Sequence, residues 1–260
     1  MSTYVMELLE ARELLFTWTR RDFKVRYSQS VLGAAWAVLQ PFSLMVVYSV
    51  IFSVFINVPT DGIPYPVFAY TALLPWTFFA NSLSFAIPSL VNNMNLVSKI
   101  YFPREILPLS AILVGFVDFL IASIVFVLML LVYRTPIGLS ILWVPLLLSI
   151  QMILTFGISL LASAINVFYR DVRFVIPLML QIWMYLSPVI YSTRVVPERF
   201  RSYYFLNPMA VLIDAYRRTI LFNQPPDWPY LGLTALIAIS LTVAAYTYFK
   251  RAEKEFADLI

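Results

Sequence analysis

Six long apolar stretches dominate this chain of 260 residues and limit what it can fold into. They have 18 to 29 residues, and a helix needs roughly 20 to cross about 30 Å of hydrocarbon. Charged residues make up only 12% of the chain, whereas a soluble domain carries roughly 25%. The sequence therefore predicts an all-α integral membrane protein with six transmembrane helices, at residues 31–56, 66–90, 106–132, 137–165, 174–191 and 230–249.

The distribution of Lys and Arg among the connections predicts the orientation. If the N-terminus is cytoplasmic, twelve of the 18 basic residues lie on that side, and five of the other six lie in one long connection, 192–229. Both termini are therefore predicted to be cytoplasmic. Residues 1–30 are predicted to form a cytoplasmic interfacial segment and 31–260 a single transmembrane domain. The interfacial helix has an apolar face formed by Val5, Leu8, Leu15 and Trp18.

The residue types on which most enzyme chemistry depends are missing. The chain has no cysteine and no histidine, which argues against disulfides, thiolate or imidazole metal sites and catalysis by an imidazole base. Its six glycines form no phosphate-binding loop, so the chain is not expected to hydrolyse ATP alone. The basic residues lie at the ends of apolar runs, so nucleic acid is not an expected partner. We expect no catalytic residue, cofactor or metal in this chain.

The long connection 192–229 is too charged in its second half to cross lipid. Residues 210–222 have a helical pattern, but Asp214, Arg217 and Arg218 would each cost several kcal/mol at the bilayer centre. This segment is therefore predicted to be an outer re-entrant or interfacial helix.

Asp118 is the one acidic residue well inside a predicted span, where a charge is expensive. One interpretation is a structural carboxyl that is hydrogen-bonded to Gln151 or Gln181. The other is a proton site, which would make the chain a proton-coupled secondary carrier, although we find no inverted repeat typical of that class. A membrane-embedded transferase is a further alternative, and the missing histidines argue against it.

Aromatic side chains on two predicted helices are candidates for lining a conduit. Sugar rings pack their apolar faces on aromatic rings, so a conduit lined in this way binds many units weakly. Most aromatic residues are nevertheless expected at membrane interfaces or against lipid. The candidates on the first and fifth spans are Tyr48, Phe52, Phe55, Gln181 and Tyr185, with Pro188 on the same side as the last two.

Two basic clusters are candidates for binding the phosphate of a lipid carrier, because guanidinium groups bind phosphate in a bidentate manner. Membrane headgroups are the simpler ligands for the outer cluster, which also includes Arg199 and Arg201. The sequence does not choose between the two clusters. Their candidate residues are Arg20, Arg21, Lys24, Arg26, Arg217 and Arg218.

Three pairs of an Arg followed by an acidic residue lie on the predicted cytoplasmic side just before outward-running helices. An acidic group near a helix N-terminus complements the helix dipole, and the adjacent Arg can reach lipid phosphate. Each pair is predicted to precede an outward-running helix and to be available to a cytoplasmic partner. The pairs are Arg21-Asp22, Arg104-Glu105 and Arg170-Asp171.

Four motifs in a fixed order resemble those of polysaccharide-exporting permeases of the type 2 ABC exporter class. They are RDFKVRYSQSVLG at 21–33, followed by Trp36 and Pro41, VSKIYFPREILP at 97–108, NVFYRDV at 166–172 and LNPM at 206–209. Within that class, the O-antigen export permeases of the Wzm type are the most similar, with capsule and teichoic-acid exporters as siblings. A type 2 exporter of drugs or lipids is the alternative within the same class.

The resemblance implies a homodimeric permease in a bacterial inner membrane. A separate nucleotide-binding ATPase would bind ATP and Mg, and lipid-linked polysaccharide would pass between the two permease copies. The long outer connection would contain gate helices, and a cytoplasmic coupling helix would contact the ATPase. The coupling residues carried over are Asn95, Leu96, Lys99, Tyr101, Phe102, Pro103, Arg104 and Glu105.

Overall fold

The structure is a computed structural model that describes residues 10–28, 30–56, 58–60, 62–97, 99 and 102–256. Val5, Leu8 and Tyr101, which carry predictions above, lie outside the described residues. Within the described ranges the chain is helical and contains no strand. The helices are α1 Arg12–Tyr27, α2 Trp36–Ser49, α3 Tyr65–Ala86, α4 Ser89–Asn92, α5 Met94–Val97, α6 Ile106–Val132, α7 Val144–Phe168, α8 Val172–Leu186, α9 Glu198–Tyr204, α10 Pro208–Ile220 and α11 Trp228–Ala252.

Four helical segments in the described chain are long and apolar enough to cross a membrane. They include α2, α6, α7 and α11 with the short helical turns that extend them: Gly33–Ser53, Ile106–Val132, Leu139–Phe168 and Trp228–Glu255. The bounds of α6 coincide with the predicted third span. The predicted second and fifth spans are helices as well, but α3 is less apolar and α8 is only 15 residues long.

Helix α3 lies at the centre of the bundle, which explains its polar content. It packs against α2, α6, α7, α8 and α10, and most of its side chains are buried. Because these neighbours surround it, α3 does not need to present an apolar surface to lipid. Small residues allow the closest contacts in the bundle: a Cβ at Gly115 on α6 would lie 2.5 Å from the Ser82 hydroxyl on α3.

Proline determines where several helices begin and where α8 ends. Pro145, Pro208 and Pro229 lie in the first turns of α7, α10 and α11, where the missing N–H costs no helical hydrogen bond. Pro188 has the opposite effect, because the residue before a proline is forced out of the helical region. Ser187 is extended, with φ −111° and ψ 150°. The predicted fifth span, 174–191, therefore ends at Leu186.

Helix α2 continues into a π-helix at Val50–Phe55. A π-helix has i→i+5 hydrogen bonds, so side chains that would share one face of an α-helix diverge. Tyr48 and Phe52 are half-buried against neighbouring helices, whereas Phe55 is 75% exposed. The single face predicted for these three residues is therefore divided between two directions.

Helix α1 packs along α6 and is part of the helical bundle. It extends to Tyr27, so the Arg21-Asp22 pair lies inside a helix and does not precede one, contrary to prediction. The Ser110 hydroxyl of α6 donates a hydrogen bond of 2.7 Å to the Asp22 carboxylate. In the other two pairs, Glu105 and Asp171 do immediately precede α6 and α8.

Candidate functional site

The predicted coupling region forms a corner between α3 and α6. We call it the coupling corner, residues 93–97, 99 and 102–105. The chain makes two short helices, α4 and α5, before it turns into α6. Asn95 and Lys99 are exposed and Leu96 is half-buried. Helix α1 reaches the same corner, because the Trp18 ring stacks on Phe102 at a centroid distance of 6.3 Å.

Arg104 and Glu105, the last two residues of the coupling corner, point into the chain's own C-terminal helix. Glu105 is 1% exposed, and its Oε1 lies 2.7 Å from the Lys250 ammonium. Arg104 donates to the backbone carbonyl of Glu253 and, at 3.4 Å, to that of Val97. These two charged groups hold the corner against α11, while the exposed side chains of the corner remain accessible to a partner.

Asp118 on α6 is bound by the end of α1. Arg26 Nη1 donates to Asp118 Oδ2 at 2.7 Å, and the Tyr27 hydroxyl donates to Oδ1 at 2.7 Å. The Arg26 guanidinium also stacks over the Phe85 ring, 3.8 Å from its centroid. Burial, together with the neighbouring carboxylate, raises the pKa of the Tyr27 phenol above its usual range, so the phenol remains a donor.

The predicted hydrogen bonds from glutamine to Asp118 are wrong. Gln151 is buried, and its amide donates to the Pro75 carbonyl at 2.7 Å and accepts from the Tyr216 hydroxyl at 3.1 Å. Gln181 is exposed on α8. The sequence pattern did not identify the actual partners because Arg26 and Tyr27 precede Asp118 by 92 and 91 positions.

The two helices predicted to line a conduit, α2 and α8, touch at Tyr48. The Tyr48 hydroxyl contacts the Met184 sulfur at 4.0 Å. On α8, Gln181 and Tyr185 are exposed, and Tyr185 is 57% exposed. Pro188, which was predicted on the same face, is buried beyond the helix end. An exposed face of aromatic and amide groups therefore lies on α8 beside the half-buried rings of α2.

Arg217 has a structural role instead of the predicted outward position. It is 3% exposed, and its Nη atoms donate to three carbonyls in the non-helical segment after α8: Pro188 at 2.6 Å, Val189 at 2.8 Å and Tyr191 at 2.8 Å. Backbone carbonyls buried outside a helix need donors. Arg217 supplies them, so these donors are not available to a lipid phosphate.

The outer connection is short-helical, as predicted for residues 210–222. Helix α10 has 13 residues, about 20 Å at 1.5 Å per residue, which is too short to cross a bilayer. Asn207 caps its N-terminus, accepting from Met209 N at 3.1 Å. The same side-chain oxygen accepts from the Trp183 indole at 2.8 Å. Asn207 therefore ties α10 to α8.

The remaining phosphate candidates differ in exposure. Arg20, Arg21 and Lys24 are exposed along α1, with the Arg21 guanidinium 4.5 Å from the Trp18 ring centroid. Arg26 is engaged by Asp118. Arg218 forms an ion pair with Asp227 at 3.5 Å. On α1, the exposed side chains are those that lipid phosphate can reach.

Sequence reasoning missed Lys250 and Glu253: it counted Lys250 only among the basic residues of the cytoplasmic side and did not consider Glu253. Their spacing of three residues does predict the helical ion pair that they form at 3.0 Å. No local pattern links either residue to Glu105, which precedes Lys250 by 145 positions. Only the tertiary contact of Glu105, directly before α6, with the end of α11 reveals this cluster.

Known proteins are similar to this chain over nearly its whole length. An O-antigen export system permease protein RfbA of Klebsiella pneumoniae is 32% identical over 249 residues, covering 95% of each chain. Its namesake from Myxococcus xanthus is 29% identical and covers 98% of each chain. The polysialic acid transport protein KpsM of Escherichia coli is 23% identical and covers 87% of this chain and 89% of its own.

A protein-family model also matches most of the chain. The family described as ABC-2 type transporter matches residues 13–221, from the first turn of α1 to the end of α10. With four helices able to cross a membrane, the chain is a multi-pass membrane protein, and it belongs to the ABC-2 type transporter family.

Proposed function

We propose that this chain is the membrane permease subunit of an ATP-driven exporter of lipid-linked polysaccharide. The observation that carries the proposal is the full-length similarity to permeases whose names specify O-antigen export and polysialic acid transport. The sequence has no phosphate-binding loop, so ATP and Mg are assigned to a separate nucleotide-binding subunit. The substrate is assigned as an O-antigen-like glycan on a lipid carrier.

In the proposed layout, six helices cross a bacterial inner membrane and both termini are cytoplasmic. The spans are α2, α3, α6, α7, α8 and α11. Support comes from the distribution of Lys and Arg and from the helical character of all six predicted segments. Helices α9 and α10 would form the outer gate, because α9 has only 7 residues and α10 carries Asp214, Arg217 and Arg218, charges that are costly at the bilayer centre.

Two copies of the chain are proposed to form the conduit, with α2 and α8 at the boundary between them. Large apolar side chains are exposed on both helices, including Phe55 at 75% and Phe174 at 66%. An exposed apolar face needs either lipid or a second protein surface to cover it. Tyr48, Phe52, Phe55, Gln181 and Tyr185 would then contact the glycan during its passage.

The ATPase is proposed to push on the coupling corner. Asn95, Leu96, Lys99, Tyr101, Phe102 and Pro103 would form the contact, and the rigid helices α3 and α6 on either side would move with it. Separation of the conduit faces of the two copies would follow. Within the chain, Arg104 and Glu105 would hold the corner in place and would not touch the ATPase directly.

Deletion of the encoding gene in a glycan-producing bacterium tests the proposal. We expect lipid-linked polymer to accumulate in the cytoplasm and the surface glycan to disappear, with both restored by the intact gene. An unchanged surface glycan would reject polysaccharide as the substrate and would favour a drug or lipid. Co-purification of a nucleotide-binding subunit tests the partner in the same strain.

A further inference from the structure

The last turns of α11 lie between the two connections that precede α6 and α8. We call residues 246–256 the C-terminal clamp. On one side, Lys250 Nζ lies 2.7 Å from Glu105 Oε1 and 3.0 Å from Glu253 Oε2. The Tyr246 hydroxyl donates to the same Glu105 oxygen at 3.0 Å. The clamp therefore binds Glu105, the last residue of the coupling corner, directly before α6.

On its other side, the clamp packs on the end of α7. Phe256 is fully buried, and its ring centroid lies 5.9 Å from that of Phe168 and 5.7 Å from that of Phe249. Phe168 is the last residue of α7, four positions before α8 begins. One short segment thus contacts both the residue before α6 and the last residue of α7.

Buried ion pairs and close helix packing make the clamp rigid, so that a displacement of Glu105 is passed on to α11. The Lys250 and Glu253 side chains are 16% and 19% exposed, and Glu105 is 1% exposed, so losing one partner leaves a buried charge uncompensated. Helices α7 and α11 approach closely at Gly157, where a Cβ would lie 2.5 Å from Thr242 Oγ1, and the Thr242 hydroxyl donates to the Ile153 carbonyl at 2.9 Å.

We propose that the C-terminal clamp couples the ATPase stroke to the conduit, with Glu105 and Lys250 as positioning residues. This inference rests on the proposed function. A push on the coupling corner moves Glu105, and the clamp carries that movement to the paired helices α7 and α11. The end of α7 then displaces the start of α8, which bears the conduit face. Without the clamp, the stroke would reach α7 and α8 through the packing of α3 against them, and not through α11.

The test uses the permease reconstituted with its ATPase in vesicles that contain lipid-linked polysaccharide, with ATP hydrolysis and glycan transfer measured together. For Lys250→Met we expect normal assembly with the ATPase and hydrolysis close to normal, but at least about tenfold less glycan moved per ATP. Lys250→Arg keeps the charge and should restore most of the ratio. Arg251→Met removes a charge from the next, exposed position and should leave the ratio unchanged.

The ratio separates coupling from simple stability. A parallel loss of hydrolysis, transfer and assembled complex in Lys250→Met would mean that the clamp only stabilises the fold, and would overturn the inference. An unchanged ratio would overturn it as well. If the unmodified pair hydrolyses ATP but moves no glycan, the proposed function itself fails, and the inference fails with it.

Discussion

The ion pair between Arg26 and Asp118 predicts that one substitution, Asp118→Asn, destabilises the native chain but stabilises a chain that lacks Arg26. Asp118 lies 12 residues into α6, about 18 Å from its start. The two side chains are 14% and 12% exposed, so water compensates little for a lost partner. Breaking a buried ion pair by removing one member costs about 3–5 kcal/mol. The Tyr27 hydroxyl still donates to Asp118, so we expect about 3 kcal/mol for Arg26→Met.

Asp118→Asn should change the free energy of unfolding in opposite directions in the native chain and in the Arg26→Met variant. In the native chain it leaves the Arg26 guanidinium buried without a counter-ion, and we expect a loss of about 2 kcal/mol. In Arg26→Met the same substitution removes an uncompensated carboxylate, so stability should rise by about 1–2 kcal/mol. The two substitutions are therefore expected to be strongly non-additive.

The measurement is the free energy of unfolding of the purified permease in detergent, followed by tryptophan fluorescence during denaturation. Arg20→Met, which removes an exposed charge from the same helix, is the control and should change stability by less than about 0.5 kcal/mol. Additivity of Arg26→Met and Asp118→Asn within about 0.5 kcal/mol would refute the ion-pair argument. The same variants also test the proton-coupled carrier. Continued ATP-driven export by Asp118→Asn would reject that alternative. Complete loss of export in a stable Asp118→Asn protein would support it.

Three further substitutions test the packing and the outer gate. Arg217→Met leaves buried carbonyls without donors and should lower stability by at least about 3 kcal/mol. Arg199→Met, at an exposed position, is the control and should be neutral. Equal thermal stability of the two purified variants would contradict this role of Arg217. Asn207→Ala removes the cap of α10 and should lower stability by about 1–2 kcal/mol. The measurement is the midpoint of denaturation, which should fall. An unchanged midpoint would show that the cap does not stabilise the protein. Gly157→Leu should force α7 and α11 apart and lower stability by about 1–3 kcal/mol. Gly232→Ala is the control: its Cβ meets nothing within 4 Å, so it should be neutral or slightly stabilising. Similar melting temperatures for both variants would refute the close contact at Gly157.

The sequence by itself determined the helical class and most helix positions. Lipid removes alternative hydrogen-bond partners from the backbone, so a long apolar run is restricted to a helix, and its length can be counted directly. The third predicted span, 106–132, coincides with α6 for this reason. The segment 210–222 was likewise predicted outside the spans from its charges, and it forms the short helix α10. The order of the motifs indicated the transporter class before any fold was known.

Tertiary structure alone decided which partner each charged group has. Arg217 was interpreted as a candidate ligand of lipid phosphate because it is a guanidinium in the outer connection, but the break in α8 at Pro188 creates carbonyls that only a buried donor can satisfy. Asp118 and Glu105 are bound by residues far away in the sequence. Helical periodicity reports which face a residue occupies; it does not report what lies opposite, because that depends on how separate helices pack.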